Sequence, residues 1–452
     1  MNGRSMTEGT PWKHILRFAL PVLAGSLLQQ LYHTADTIIV GKFNGEDALS
    51  AVGTTNSFTF LFLAIAMGFS AGCGVIVAQH YGAKHEQLVK KSASTGILLL
   101  LGMGLVSTAV GLLLSGAAYT YWIKAPEEIL DQTLLYFRVY ALGLLFQYGY
   151  NIFSSILRAV GDSAATLYFL LISSASNIAL DLLFVAGFRW GVMGAALATV
   201  IAQAGSFAAA YLYMIKKYPM FHFGLKGFVW DTFLAKKTVT VGLPIALQMV
   251  VVSLGFSFIQ RAVNGFGKSM TASFTVGQRI EMYLNLPCNA FQTTLATYAG
   301  QNIGAGKPEN VKRGVRQTLA ISLMMSLAIS VAVWLFADAI IGLFGLGSQA
   351  MEYCRAHLRT VAFVNIIMGM YVPLFGVFQA SNHAAVCTLV ASSVLSVRVL
   401  ATYLFRYSAF LGYAIIWWNG LFGFSMGFLI SWSYYLSGKW QKNAALTVYD
   451  PS

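Results

Sequence analysis

The chain has 452 residues, of which 57% are hydrophobic and only 10% are charged, with a mean hydropathy of +0.66 and a formal net charge of +13. Soluble proteins carry about 25% charged residues, so this composition excludes a soluble globular protein. The apolar runs are continuous over about 20 residues or more, which excludes the alternating strands of an outer-membrane barrel and predicts an all-α polytopic membrane protein.

Twelve apolar segments predict twelve transmembrane helices. In chain order the predicted spans are 14–40, 47–79, 93–117, 131–155, 163–186, 191–214, 238–262, 270–299, 315–342, 353–379, 384–405 and 411–436. These lengths match the hydrocarbon thickness of a bilayer, since a helix needs about 20 residues to cross it. We therefore expect the lipid bilayer to surround the chain.

The basic residues are distributed unequally between the two sides of the predicted membrane. If the N-terminus is cytoplasmic, the inner segments hold Arg4, Lys13, Lys84, Lys90, Lys91, Arg158, Lys216, Lys217, Lys226, Lys236, Lys237, Lys307, Lys312, Arg313, Arg316, Lys439 and Lys442, and the outer segments hold Lys42, Lys124, Arg189, Lys268 and Arg406. This bias follows the positive-inside rule and predicts a multi-pass protein of the inner (plasma) membrane with both termini cytoplasmic. Because the positive charge orients the chain, we expect no nucleic-acid partner.

The sequence repeats itself. "ALPVL" at 19–23 recurs as "GLPIA" at 242–246, and "AQHYGAK" at 78–84 recurs as "GQNIGAGK" at 300–307. A six-helix repeat returns the chain to its starting side, so both halves share one orientation, as in many secondary transporters. We predict two pseudo-symmetric six-helix lobes, over 1–214 and 238–452, joined by a cytoplasmic linker over 215–237.

Polar residues inside the spans mark the candidate site. An ionisable residue at the centre of a spanning helix costs about 2.5–3.5 kcal/mol, so it faces the protein interior and is a functional candidate. In span 1, Gln29, Tyr32, His33 and Asp36 are spaced 3, 1 and 3 residues apart and line one helical face. Span 4 adds Tyr136, span 5 adds Asn177 and Asp181, and span 6 adds Thr199 and Gln203.

The first lobe thus contains two intramembrane acids, Asp36 and Asp181. A low dielectric constant favours the protonated form of a carboxyl group, and a second acid nearby favours it further. Such a pair can gain and lose a proton, as a proton antiporter requires. The structural alternative is an ion pair of either acid with Arg138 or His33. His33 is also a candidate for tuning Asp36, because an imidazole titrates near neutral pH.

The second lobe has one intramembrane acid, Glu281, two residues after Arg279. It is a candidate for binding a cationic substrate. We expect it instead to pair with Arg279, Arg261 or Arg398. Asp338, near the end of span 9, is expected at the membrane interface.

A second function is also compatible with the sequence, because the second lobe contains three arginines, Arg355, Arg359 and Arg398. A flippase for a lipid-linked saccharide or another amphipathic lipid would use such residues to bind pyrophosphate. No H-E-x-x-H, G-x-S-x-G or P-loop motif is present, so we expect no enzymatic activity, no metal site and no bound cofactor.

Several motifs resemble those of the multidrug and toxic compound extrusion (MATE) family. They are "DTIIVGKFNGEDALSAVG" at 36–53, "AQHYGA" at 78–83, "LRAVGD" at 157–162, "NIALD" at 177–181 and "GVMGAALATVIAQ" at 191–203, with "GQNIGAGK" as the second-half counterpart. The resemblance covers nearly the whole chain in the family's order and spacing. The sequence departs from the pattern at His33, where an asparagine or small polar residue is expected, and at "FQASNHAA", a loose echo of "LRAVGDSAA".

The resemblance implies a twelve-helix transporter that expels organic cations and amphipathic drugs in exchange for protons or sodium. It also implies that Asp36, Asn177, Asp181, Thr199 and Tyr136 match the first-lobe polar cluster of the proton-coupled members. We therefore predict multidrug efflux by cation antiport, with protons favoured over sodium as the coupling ion. We expect the chain to act as a monomer.

Overall fold

The computed structural model describes residues 3–223, 227–342, 344–408 and 412–442, and all regular secondary structure in these ranges is helical. The helices are α1 (Pro11–Gly82), α2 (Glu86–Ala117), α3 (Glu127–Leu142), α4 (Leu144–Ala159), α5 (Ser163–Asp181), α6 (Gly191–Lys217), α7 (Thr232–Asn264), α8 (Lys268–Gly304), α9 (Pro308–Gly342), α10 (Ser348–Tyr371), α11 (Leu374–Ala380), α12 (Ala384–Phe405) and α13 (Ile415–Leu436). π-Helical turns follow α2 at Ala118–Trp122 and α5 at Leu182–Gly187, and 3-10 turns lie at Pro219–Phe221, Gly412–Ala414 and Lys439–Gln441.

These helices correspond to the twelve predicted spans. Within the described residues, nine of them are long and apolar enough to cross a membrane, and the pair α3–α4, bent by 45°, brings the number to ten when it is counted as one span. The long helix α1 covers two of the predicted spans, and α8, which is 37 residues long, covers the predicted span 270–299. The prediction of an all-α membrane protein with twelve spans is confirmed within the described part of the chain.

The connection predicted between spans 1 and 2 is mostly helical. Helix α1 runs through the polar stretch 41–46 and breaks only at Gly45, where φ is 82° and ψ is −174°. A residue with a Cβ atom adopts such a positive φ only at a cost, and glycine does not. A helix break at a single glycine therefore takes the place of the connection predicted between the two spans.

The chain divides into two compact units. The first contains the described part of Met1–Ser5 together with Leu20–Ala246, and the second contains Met6–Ala19 and the described part of Leu247–Ser452. The first turns of α1 thus belong to the second unit, and the start of α7 belongs to the first. The lobe and linker boundaries predicted from the sequence stay predictions. Residues 224–226 of the linker, including Lys226 of the charge count, lie outside the described residues.

Both units contain the same left-handed turn, although their sequences at this turn are only weakly similar. Gly161 follows α4 with φ of 88°, and Asn382 follows α11, 221 residues later, with φ of 64°. Asn is among the few residues with a side chain that enter this left-handed region readily. The residue after the turn differs, since Asp162 in the first unit is replaced by His383 in the second. The loose echo "FQASNHAA" therefore forms the same backbone turn with different chemistry.

Asp162 ties the start of α5 to the end of α6. Its carboxylate accepts hydrogen bonds from the Tyr213 hydroxyl at 2.9 Å, the Lys217 ammonium at 2.9 Å and the Tyr218 hydroxyl at 2.7 Å. Burial alone would raise the pKa of Asp162, but the hydrogen bonds from Lys217 and the two tyrosines outweigh it and hold the pKa below its usual range. Asp162 is therefore ionised at neutral pH and caps α5 through the Ala165 amide.

Within the first unit, the second half of α1 crosses the start of α7 at small residues. A methyl group added at Gly72 would lie 2.7 Å from the backbone nitrogen of Gly242, and one at Gly68 would lie 2.5 Å from that of Ala246. Glycine and alanine let two membrane helices approach backbone to backbone. This crossing leaves no room for a larger side chain.

We expect Gly72→Leu to destabilise the folded protein by about 1–3 kcal/mol or more, because the new side chain overlaps the α7 backbone. The measurement is thermal unfolding of the purified protein in detergent. Gly102→Leu is the matched control, since a Cβ atom at the exposed Gly102 meets nothing within 4 Å. Equal unfolding temperatures for the two variants would contradict the close crossing.

Candidate functional site

The polar stripe predicted in span 1 lies on a continuous helix. Gln29, Tyr32, His33 and Asp36 are all within α1, ahead of the break at Gly45. The rings of Tyr32 and His33 lie 4.3 Å apart, centroid to centroid. The stripe belongs to the first unit, together with α5 and α6.

The structure brings together the two acids that the sequence only placed in the same lobe. Asp181 is the last residue of α5, and its side chain is completely buried. The carboxyl groups of Asp36 and Asp181 lie within hydrogen-bonding range of each other. Among the described residues, no N–H or O–H group donates to either carboxyl oxygen of Asp181 or to Oδ1 of Asp36.

Two ionised carboxylates in contact repel each other, so this arrangement is favourable only when one of them is protonated and donates to the other. The alternative ion pairs do not form in the described part of the chain. Arg138 donates from Nε to the Ser115 hydroxyl at 3.3 Å, and His33 makes no salt bridge with either acid. The acid pair therefore has no counter-ion among the described residues.

Tyrosines surround the acid pair. Tyr32 and Tyr136 are both close enough to Asp36 and Asp181 to interact with them electrostatically. Tyr136 and Tyr140 lie on α3 with parallel rings, and the hydroxyl of Tyr140 exchanges hydrogen bonds with the Gln147 amide at 3.0 Å and 3.3 Å. Gln147, on α4, also belongs to these surroundings, although the sequence analysis did not identify it as a candidate.

The remaining first-lobe candidates lie on α5 and α6. The Asn177 amide donates to the Thr199 hydroxyl at 3.5 Å, and that hydroxyl donates to the Ala195 carbonyl at 3.1 Å. The side-chain oxygens of Asn177 and Gln203 are buried and receive no hydrogen bond from the described residues. Together with the acids, they give the first unit several unsatisfied acceptor oxygens, which can hold a proton or a small cation.

Glu281 lies apart from this cluster, in the second unit. Its side chain on α8 is 7% exposed and interacts electrostatically with Arg398, but the two form no salt bridge within 4.0 Å. Arg398 donates instead from Nε to Asn419 Oδ1 at 2.8 Å. The expected ion pair of Glu281 is thus present only as a longer-range interaction.

The other second-lobe arginines have partners of their own. Arg355 is bound to the exposed carboxylate of Asp338, and the guanidinium of Arg359 lies 5.4 Å from the centre of the Trp334 ring. Both partners lie on α9, so these arginines connect α9 to α10. Their contacts are structural, and nothing in them resembles a pyrophosphate site.

The fold defines a polytopic membrane protein built from two related six-helix repeats. The MatE family model matches the chain twice, over residues 21–183 and 244–404, which together make up most of its length. The chain belongs to the MatE family, the multidrug and toxic compound extrusion transporters. Members of this family are transporters and not enzymes. The double match, with starts at Pro21 and Pro244, confirms the internal repeat.

Full-length relatives agree with this assignment. The chain is 28% identical to the probable multidrug resistance protein YpnP of Bacillus subtilis over 98% of each chain. It is 23% identical to the probable multidrug resistance protein NorM of Thermotoga maritima, over 96% of this chain and 94% of that one. Its structure is similar to that of a multidrug resistance MATE transporter in an outward-facing conformation, with a TM-score of 0.91 and 24% identity over 97% and 98% of the two chains. At that identity the structural likeness shows the fold alone.

We expect the stability of the protein to fall as the pH rises from acidic to alkaline values, because the acid pair loses its shared proton and two carboxylates then repel each other. Asp181→Asn should reduce this fall by about 1–4 kcal/mol, since its amide donates a hydrogen bond to Asp36 at every pH. Thermal unfolding in detergent across this range measures the effect.

Asp338→Asn is the matched control for this experiment, because Asp338 is exposed and bound to Arg355. It should keep the pH dependence of the wild type. Parallel curves for the wild type and Asp181→Asn would show that the two acids do not share a proton.

Proposed function

We propose that this chain exports organic cations and amphipathic drugs across the plasma membrane by antiport with protons. The observation that carries the proposal is the contact between Asp36 and Asp181, which has no counter-ion among the described residues. Such a pair gains a second negative charge when it loses its shared proton, and the charge attracts a cation. The relatives named as multidrug resistance proteins support drugs as the substrate class.

Protons are favoured over sodium because of the geometry of the acid pair. A sodium ion is held by several oxygen ligands at once, and ionised carboxylates arrange themselves around it. Here the two carboxyl groups face each other, and an amide oxygen at Asn177 remains without a donor. A shared proton satisfies the carboxyl groups directly, whereas sodium would need both to turn toward a common centre with Asn177.

The acid pair suggests a mechanism of alternating binding. In the outward-open state a proton from outside reaches Asp36 and Asp181, and the loss of negative charge weakens their hold on the cationic substrate. The substrate leaves, and the protonated transporter turns inward. The proton then departs to the cytoplasm, which restores the charge for the next cation. Proton and substrate compete for one charge, so both cannot be held strongly at the same time.

Orientation and assembly complete the proposal. The excess of Lys and Arg in the segments predicted to be cytoplasmic supports an inside location for both termini. Each chain contains the complete acid pair within its first unit, so one copy is sufficient for transport and we propose a monomer. The coupling ion is then the proton, and no bound cofactor takes part.

We expect Asp36→Asn to abolish proton-driven efflux of ethidium from sealed vesicles that contain the purified protein, because Asp181 then has no second acid with which to share a proton and the new amide donates to its ionised form. The vesicles carry first an imposed pH gradient without sodium, then a sodium gradient at equal pH. The wild type should transport only under the pH gradient.

Asp47→Asn is the matched control for this experiment, since Asp47 lies exposed on the same helix. It should transport as the wild type does. Wild-type efflux that responds only to the sodium gradient would refute protons as the coupling ion.

A further inference from the structure

The second unit buries an arginine in a fixed orientation. Arg398 on α12 is 7% exposed, and its Nε donates to Asn419 Oδ1 at 2.8 Å. The Asn419 amide in turn donates to the Ile416 carbonyl at 2.8 Å, which holds the asparagine in place. The guanidinium lies 4.8 Å from the centre of the Phe424 ring and 5.4 Å from that of Phe256. These contacts hold the guanidinium in one plane and direction.

The same contacts leave the charge of Arg398 without a direct partner. No carboxylate of the described residues lies within 4.0 Å of it, and its two terminal nitrogens have no hydrogen-bond acceptor there. Glu281 is buried nearby and interacts only at longer range. A buried charge without an ionic partner is costly. This arrangement is therefore better explained by a ligand that joins Arg398 during transport than by a contribution to stability.

The repeat places Arg398 where the first unit has its own polar cluster. The offset of 221 residues that relates the turns at Gly161 and Asn382 also relates Asn177 to Arg398 and Tyr136 to His357. His357 is buried and stacked between the rings of Phe274 and Trp417, at centroid distances of 5.5 Å and 5.2 Å. The second unit thus has a polar site at equivalent positions, with a guanidinium in place of an amide.

We propose that Arg398 is the residue that binds the carboxylate of zwitterionic aromatic substrates, an inference that rests on the proposed drug efflux and assigns a specificity-determining residue to it. A guanidinium with free terminal nitrogens forms paired hydrogen bonds to a carboxylate. Glu281 keeps the region from being purely cationic, because its charge favours ligands that also carry a positive group. A substrate with both charges fits this pair better than a simple anion does.

Rhodamine 110 and rhodamine 123 separate the carboxylate from the rest of the substrate. They share one cationic ring system, but rhodamine 110 has a free carboxylate and rhodamine 123 is its methyl ester. Fluorescence polarisation with the purified full-length protein in detergent at neutral pH gives both affinities. We expect the wild type to bind rhodamine 110 more tightly. Arg398→Gln should weaken rhodamine 110 about tenfold and leave rhodamine 123 within about twofold.

Two further variants test the assignment. Arg359→Gln removes an exposed arginine of the same unit and should change neither affinity. Arg398→Lys keeps the charge and should retain part of the preference for rhodamine 110, provided that it elutes as a folded species. Equal wild-type affinities for the two dyes, or an equal loss of both in Arg398→Gln, would overturn the proposal. Rhodamine 123 lacks the carboxylate, so its proton-driven efflux tests the proposed function separately.

Discussion

The constraint on which this account depends is a contact between two carboxyl groups inside a membrane protein, with no cationic side chain paired to them in the described part of the chain. Asp36 and Asp181 come from helices far apart in the chain, and the fold of the first unit holds them together. Electrostatic repulsion makes this contact unfavourable unless a proton is shared. The same repulsion makes the pair responsive, because a proton or an organic cation can relieve it. A stable fold thus maintains a locally unfavourable arrangement, as functional sites commonly do.

The two repeats have the same backbone arrangement, but the polar side chains that they bury carry opposite charges. Each has a left-handed turn after the helix that completes its fourth span, formed by Gly161 in the first and Asn382 in the second. Where the first repeat has Asn177, the second has Arg398, whose guanidinium is held by Asn419. A duplicated backbone can diverge in this way because its helix packing depends on small and apolar residues, whereas charge depends on a few side chains. The resulting asymmetry suits substrates that carry more than one kind of charged group.

Much of the architecture follows from local features of the sequence. Continuous apolar runs predicted the spans, and the recurrence of "AQHYGAK" as "GQNIGAGK" predicted the repeat. The helical spacing of Tyr32 and Asp36 predicted a shared face correctly, because spacing within one helix is a local property. The helix break at Gly45 was not predicted. The polar residues around it indicated a loop, but the helix is interrupted at this single glycine only.

Contacts between helices were harder to predict from the sequence. The close approach of Asp36 to Asp181, and the binding of Arg355 to Asp338, depend on how helices are rotated against each other. The expected ion pair of Glu281 shows the same limit, because Arg398 is nearby but bonded to Asn419. Polar residues within spans indicate that a site exists, whereas three-dimensional packing determines which of them meet.

The most direct measurement of the central claim is the release of protons when a cationic substrate binds. Purified protein in weakly buffered detergent solution at neutral pH is mixed with saturating ethidium, and a soluble pH indicator reports the protons. If Asp36 and Asp181 share a proton that the substrate displaces, about one proton is released per bound dye, and Asp36→Asn releases none. Saturable binding of ethidium to the wild type without any proton release would contradict the account.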